Sequence, residues 1–172
     1  MSMILKFRML SDESDRFLRD YEVPYDMNLL DFHNFLCKDL RFDPSSGMTS
    51  FFLSNAGWDK LTEFTQIDMG MGDDDPHAPV PMASVTLGQV VHNNRDRLIF
   101  LFDLLGERAL FLELTGADKA RLGIDYPRVA MAEGAAPDQF DPDATPRERS
   151  IFDEAMGEFD GFEGDDSYED EY

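Results

Sequence analysis

The feature that most constrains the fold is an apolar stretch, residues 97–115, which has the pattern of two strands around one turn. Its first arm, residues 98–105, is apolar on both strand faces apart from Asp103, as expected for a strand in the middle of a covered sheet. In the second arm, leucine occupies each even position from 110 to 114, so that one strand face is leucine-rich. The stretch therefore predicts a central β-hairpin.

The register of this hairpin follows from its leucine-rich faces, because pairing them requires even-numbered residues to oppose even-numbered ones. We expect Phe102 to lie opposite Leu110 and Phe100 opposite Leu112. A plain antiparallel hairpin has that register only if its loop contains an odd number of residues, and we place this loop at residues 105–107.

A second hairpin is predicted for residues 4–10 and 16–23, on either side of a polar turn. One register pairs opposite charges across the solvent face, namely Arg8 with Asp20 and Lys6 with Glu22. Arg19 is the exception to the alternation, since it falls on the inner, apolar face. We expect its side chain either to lie at a sheet edge or to point into a cleft.

One main helix is predicted to cross the sheet from Asn28, whose side chain caps the first turn, to about Leu40. Further along, the pattern predicts strands at residues 49–54 and 63–69, a loop at residues 70–83, a short helix at residues 87–92 that His92 closes, and ordered loops after Thr115. The fold class is therefore α+β, with a mainly antiparallel sheet built from hairpins and one main helix packed across it. We assign residues 1–140 to this domain and residues 141–172 to an acidic, largely disordered tail.

The chain is strongly acidic, with a net charge of −21 from 36 acidic and 15 basic residues. Ten of the acids lie in residues 153–172, which leaves 26 acids against 15 bases, or −11, in residues 1–152. This charge disfavours direct binding to nucleic acid or to an anionic membrane, and it makes a basic protein the compatible partner. The alternative is an acidic surface and tail that only keep the chain soluble.

Cellular location is predicted from what the sequence lacks. No secretion signal and no apolar run of about 18 residues is visible, so no membrane span is expected. Cys37 is the one cysteine and cannot form an internal disulfide, which fits a reducing compartment. We therefore expect a cytoplasmic protein.

One stretch combines carboxylates with an imidazole in the manner of a metal site: Asp73, Asp74, Asp75 and His77. Clustered carboxylates suit Ca²⁺ or Mg²⁺, and an imidazole extends the choice to Zn²⁺ or Mn²⁺. The spacing matches no EF-hand loop, so a solvated acidic loop is the expectation. We predict no bound metal and no cofactor.

Motifs for catalysis are absent, since the sequence contains no phosphate-binding loop, dinucleotide-binding glycine motif, nucleophile elbow or His-Glu-x-x-His. His33 lies at the border of the apolar helix stripe, and no orienting acid or nucleophile can be identified for it, so we expect a packed, hydrogen-bonded histidine. Cys37 has no second cysteine or paired histidine in the pattern and is expected to be a structural thiol. These observations weigh against an enzyme.

Four short motifs occur along the chain: Tyr21-Glu22-Val23-Pro24 followed by Leu29-Leu30-Asp31-Phe32-His33; Thr86-Leu87; Leu101-Phe102-Asp103 with Gly106; and Tyr126-Pro127-Arg128 through Glu133-Gly134-Ala135-Ala136-Pro137. In this order they resemble the plasmid pRiA4b ORF-3-like family, whose members are small α+β proteins of unassigned biochemical function. The resemblance covers residues 3 to about 140. If the family has a common pocket, the matching positions here would be His33, Asp103 and Arg128.

The sequence departs from the family pattern in two places. The family commonly has Gly-Asp-Asp-Trp and then a histidine in the hairpin, whereas Gly106 is followed here by Glu107-Arg108-Ala109-Leu110, and no cysteine follows Arg128. The resemblance therefore implies a fold more strongly than an activity.

The leading interpretation is a cytoplasmic protein-interaction module whose acidic surface and tail select a basic protein partner. Two alternatives stay open. One is a metal-dependent or hydrolytic enzyme with a polar pocket near the main helix, and the other is an acidic mimic that occupies a nucleic-acid-binding groove. The oligomeric state does not follow from the sequence.

Overall fold

The computed structural model describes residues 2–45, 49–68 and 78–140, and within them the elements are arranged around one eight-stranded sheet. In chain order these elements are β1 (Met3–Ser11), β2 (Leu18–Pro24), α1 (Leu29–Leu40), β3 (Ser50–Ser54), β4 (Lys60–Thr65), β5 (Val80–Pro81), a 3-10 turn (Met82–Ser84), α2 (Leu87–Val90), β6 (Arg97–Asp103), β7 (Arg108–Lys119) and β8 (Arg128–Glu133). The strand order across the sheet is β5-β4-β3-β6-β7-β1-β2-β8, and all neighbours are antiparallel except β4 and β5. The expected α+β fold is confirmed.

The central hairpin, β6 and β7, pairs even-numbered with even-numbered residues as predicted, but its register and its turn length differ from the prediction. Phe100 pairs with Leu110 rather than with Leu112, and the turn between Asp103 and Arg108 contains four residues rather than three. A β-bulge at Phe102 shifts the register by one, which compensates for the even-numbered turn. The predicted pairs are therefore wrong by two residues and the predicted loop is one residue too short, although the predicted faces are correct.

The first hairpin, β1 and β2, has the predicted register. Arg8 lies opposite Asp20 and Lys6 opposite Glu22. Arg8 Nε and Nη2 donate to the two carboxylate oxygens of Asp20 at 2.8 and 2.9 Å, so this ion pair is bidentate.

Helix α1 lies across the inner face of the sheet, and Asn28 caps it as expected by accepting from the Leu30 N–H. The ring of Phe32, on the buried side of α1, is 5.5 Å from that of Phe7 on β1 and 5.7 Å from that of Phe51 on β3. This aromatic packing joins the helix to both halves of the sheet and forms the centre of the core.

Two elements differ in length from the sequence prediction. β4 begins at Lys60 and ends at Thr65, whereas the predicted strand covered residues 63–69. The chain turns early because Asn55 Oδ1 accepts from the N–H groups of both Gly57 and Asp59. Helix α2 ends at Val90, so the prediction that His92 closes it was wrong.

The chain after Thr115 contains strands where loops were expected. β7 continues to Lys119 and pairs with the beginning of β1, and β8 pairs with β2 as an edge strand. Most side chains of β8 are exposed, so the strand shows no apolar alternation. Its position depends on backbone pairing with β2, on the hydrogen bond from Arg128 Nη1 to Glu22 Oε1 and on the packing of Val129 against the core.

The described residues up to Gln139 belong to one compact unit. No helix in the described ranges is long and apolar enough to cross a membrane. The predictions for the tail at residues 141–172, and for most of the loop at residues 70–83, concern residues outside those ranges.

Candidate functional sites

The structure places the three residues of the expected pocket on three separate elements. His33 lies on α1 and is fully buried, Asp103 ends β6, and Arg128 begins β8. Three strands separate β6 from β8, so Asp103 and Arg128 are four strand spacings, about 19 Å, apart across the sheet. Among the described residues their polar partners also differ, since Asp103 contacts Arg108 and Arg128 donates to Glu22.

His33 joins α1 to the sheet through a chain of hydrogen bonds. Its Nε2 lies 2.7 Å from Thr49 Oγ1, and that hydroxyl donates to Gln66 Oε1 at 2.8 Å. The Nδ1 of His33 lies 3.1 Å from Asn34 Oδ1. Burial lowers the pKa of His33, against a smaller opposing contribution from Asn34, so the imidazole is held neutral. This is a packed, hydrogen-bonded histidine, as expected.

The other candidates for chemistry give no metal or nucleophile site within the described ranges. No group of three or more possible metal ligands occurs there. Asp73, Asp74, Asp75 and His77 lie outside the described residues, so their metal-binding capacity stays a prediction. Cys37 is buried, and this burial raises the pKa of its thiol to about 12, which keeps the thiol protonated.

Two hairpin turns meet at one end of the sheet, and we call residues 12–16 and 103–108 together the hairpin-turn surface. The two turns are joined by Arg108, whose Nε and Nη2 donate to the carboxylate of Glu13 at 2.8 and 3.0 Å. The Nη1 of the same guanidinium lies 3.3 Å from Asp103 Oδ2. These interactions, of which the hydrogen bond to Glu13 is the largest, raise the pKa of Arg108. One partly buried cation therefore fixes both turns relative to each other.

Asp103 also shapes the tip of the β6–β7 turn. Its Oδ1 accepts from the N–H of Gly106 at 3.0 Å, and a Cβ at Gly106 would lie only 2.6 Å from Asp103 Oδ2. The closed turn directs Leu104 and Leu105 outward, with 42% and 83% of their surface exposed. Two leucine side chains are therefore exposed to solvent at the tip of a turn that the hydrogen bond between Gly106 and Asp103 holds closed.

The charge around these leucines is predominantly negative. The hairpin-turn surface contains five carboxylates, from Asp12, Glu13, Asp15, Asp103 and Glu107, and two guanidinium groups, from Arg16 and Arg108. Arg108 is already neutralised by its two carboxylate partners. In the part of the chain that the structure describes, Asp12, Asp15 and Glu107 form no ion pair.

Arg19, the residue that interrupts the strand alternation, lines a pocket of about 450 Å³ at the C-terminal end of α1. It therefore points into a cleft, which is one of the two placements expected. Asp39 and Arg41 complete the polar lining of this pocket, which we call the Arg19 pocket. Sequence reasoning missed both because they lie beyond the apolar stripe of the helix. The misplaced charge at Arg19 was the signal that could have led to them.

The fold and these sites define a small α+β domain with an acidic, leucine-tipped surface and a separate polar pocket. No family profile and no curated protein matches the sequence. Among solved structures, the chain is similar to the crystal structure of MM3350, a protein of unknown function from Methanosarcina mazei Go1. The TM-score is 0.66 at 14% identity, over 91% of this chain and 82% of that one. This likeness shows the fold alone, and the resemblance to the plasmid pRiA4b ORF-3-like family stays a prediction.

Proposed function

We propose that the protein is a cytoplasmic protein-interaction module whose hairpin-turn surface binds a basic, partly apolar segment of another protein. The observation that carries this proposal is the pair of exposed leucines, Leu104 and Leu105, surrounded by carboxylates. The acidic tail predicted at residues 141–172 would add long-range attraction for the same partner.

Apolar burial would supply part of the binding free energy. Leu105 is 83% exposed, and covering a leucine side chain stabilises a complex by about 1.5–3 kcal/mol. Leu104 is less exposed and would contribute less. An apolar anchor of this kind is enough to position a partner but does not select it.

Charge would supply the selection. The carboxylates of Asp12, Asp15 and Glu107 have no cationic partner within the described ranges, so lysine or arginine side chains of a partner could pair with them. Acidic partners would be repelled by the same groups. The expected ligand therefore alternates basic residues with leucine-like ones.

The surface is also held in place before binding. The ion pair between Arg108 and Glu13 and the hydrogen bond between Asp103 and Gly106 restrain both turns. A restrained surface loses less conformational entropy when a partner binds.

The test is affinity capture from lysate with a matched pair of variants. We expect a basic partner to bind the wild-type chain, to be lost with the double substitution Leu104→Ser and Leu105→Ser, and to be retained with Leu61→Ser. Leu61 is a suitable control because it is 58% exposed but lies on β4, away from the turns. Raised salt should weaken the capture, since exposed charges are screened.

A chain that ends after Phe140 separates the contribution of the surface from that of the tail. Retention of the partner by this shorter chain, with loss in the double leucine variant, supports the surface as the main site. Equal capture by the wild-type and double leucine variant would refute the proposal.

The enzyme alternative receives no support from the described residues, whereas the nucleic-acid mimic stays a prediction. An enzyme using His33, Asp103 and Arg128 would need them in one place, and they lie on separate elements. Competition with DNA for the captured partner would distinguish a nucleic-acid mimic from an ordinary interaction module.

A further inference from the structure

The Arg19 pocket is built from two pieces of the chain that are distant in sequence. Its walls are residues 39–42, at the C-terminal end of α1, and residues 135–139, which follow β8. The second wall is fixed from both ends. Arg19 Nη1 donates to the carbonyl oxygens of Glu133 and Gly134 at 2.9 and 3.0 Å, and Arg108 Nη2 donates to the carbonyl of Asp138 at 2.8 Å.

Arg19 itself is nine-tenths buried, with 10% of its side chain exposed. Its Nε is buried without a hydrogen bond and lies 3.3 Å from Asp39 Oδ2, and its Nη2 donates to no group in the described ranges. A guanidinium has five N–H donors, and a buried one is normally satisfied. The enclosed Nε faces Asp39, so Nη2 is the Arg19 donor that stays available to a hydrogen-bond acceptor in the pocket.

The lining offers acceptors as well as donors. Asp39 Oδ2 accepts from the Tyr21 hydroxyl at 2.7 Å, whereas Oδ1 has no hydrogen bond to a described residue. Arg41 lies at the rim, is exposed, and forms no ion pair within the described part of the chain. The pocket thus presents guanidinium donors from Arg19 and Arg41 and a carboxylate acceptor from Asp39, next to the partial negative charge of a helix C-terminus.

We propose that the Arg19 pocket binds a small zwitterion of amino-acid to dipeptide size, with its carboxylate on Arg41 and Arg19 Nη2 and its ammonium on Asp39 Oδ1. A volume of about 450 Å³ accommodates a molecule of this size. This inference does not depend on the proposed protein partner, whose site is the leucine-tipped turn.

Charge balance selects a zwitterion over a simple ion. The charged residues of the lining are two arginines, Arg19 and Arg41, and two aspartates, Asp39 and Asp138, so that their formal charges sum to zero. A simple anion would also have to approach a chain whose net charge is −21. A zwitterion meets both signs of charge in the lining and carries no net charge of its own.

The test is a titration of the full-length protein followed by amide NMR and by thermal shift. The probes are the free L-amino acids and glycylglycine, with acetate and methylamine as single-charge controls. We expect at least one zwitterion at about 10 mM to shift the amides of Leu40 and Ala136 and to stabilise the fold by mass action. Acetate and methylamine should have much smaller effects.

Two variants test the assigned contacts without disturbing the buried arginine. Arg41→Ala should weaken binding about tenfold, as expected for one charge-assisted hydrogen bond. Lys38→Ala removes the same charge from an exposed position of α1 that does not line the pocket, and should change the affinity less than twofold. Acetate binding as strongly as the zwitterions, equal effects of the two variants, or no shift with any probe would each overturn the proposal.

Discussion

Replacement of Arg19 by methionine tests whether one buried arginine holds the end of the sheet together. The substitution keeps an unbranched side chain of similar length and removes the guanidinium. Asp39, which is 17% exposed on its side chain, would lose its cationic neighbour. The carbonyls of Leu18, Glu133 and Gly134 would lose the donor that they share.

The expected loss of stability follows from the burial of the pair. Removal of one partner of a buried ion pair costs about 3–5 kcal/mol, because the other charge stays buried without compensation. The pocket beside Arg19 lets water reach Asp39 and some of the carbonyls, which favours the lower end of that range. We therefore predict a decrease of about 3 kcal/mol in the free energy of unfolding for Arg19→Met.

The matched control is Arg8→Met on the neighbouring strand of the same hairpin. Arg8 makes a better ion pair by geometry, bidentate with Asp20, but its side chain is 46% exposed. Exposed pairs of this kind contribute about 0–1 kcal/mol. The comparison therefore separates burial from hydrogen-bond geometry.

The assay is urea unfolding followed by the fluorescence of Trp58, the one tryptophan of the chain. Trp58 packs against Phe111 and Arg97 on the outer face of the sheet, so its emission should change when the sheet unfolds. Equal m-values for the two variants would show that the unfolding transitions are comparable. A loss for Arg19→Met no larger than that for Arg8→Met would refute the reasoning.

Three further predictions concern His33, Cys37 and Gly134. Burial lowers the pKa of His33 in the folded protein, whereas in the unfolded chain the pKa is near 6.5, so the unfolded chain binds more protons. The free energy of unfolding should therefore fall as the pH drops below about 6.5. In urea titrations between about pH 5 and 7, the His33→Gln variant should show a weaker dependence on pH. Cys37, whose thiol pKa is raised to about 12 by burial, should react with a thiol reagent at pH 8 only after unfolding, as followed by mass spectrometry. Gly134→Ala should lower the free energy of unfolding by at least about 2 kcal/mol, because φ is +73° and a Cβ would lie 2.4 Å from the Arg16 carbonyl oxygen, whereas Gly116→Ala, with open space at its Cβ, should have little effect.

Each of these predictions has an outcome that contradicts it. An unchanged pH dependence in His33→Gln would show that the histidine is not protonated on unfolding in this range. Rapid labelling of Cys37 in the native protein would show that the thiol is accessible. Similar stability of the Gly134→Ala and Gly116→Ala variants would show that the chain after β8 adapts to a side chain.

The sequence predicts the faces of the hairpins better than their turns. Side-chain alternation determines which residues face the core, so the pairing of Arg8 with Asp20 and the even parity of β6 and β7 could be derived. The bulge at Phe102 could not, because it depends on how a four-residue turn closes around Asp103 and Gly106 rather than on any apolar pattern. The edge strand β8 was missed for a related reason. Its backbone pairs with β2, but most of its side chains are exposed and show no apolar alternation from which a strand could be predicted.

The sequence indicated residues of the candidate sites only where a polar or charged residue interrupted an apolar pattern. Asp103 interrupts an apolar run, and Arg19 occupies an inward strand position, and both prove to have structural partners that shape a site. Arg41 breaks no pattern at the end of α1, so nothing in the sequence indicated it. His33 and Arg128 were chosen by resemblance, and the structure places them on separate elements.

The measurement that tests the proposed function most directly is an NMR titration of the full-length protein with a synthetic peptide of alternating lysine and leucine. The hairpin-turn surface predicts that the perturbed amides lie in residues 12–16 and 103–108, and that the Leu104→Ser, Leu105→Ser variant loses these shifts while Leu61→Ser keeps them. Perturbation confined to residues 141–172, or scattered over the sheet and unchanged in the double leucine variant, would contradict the proposal.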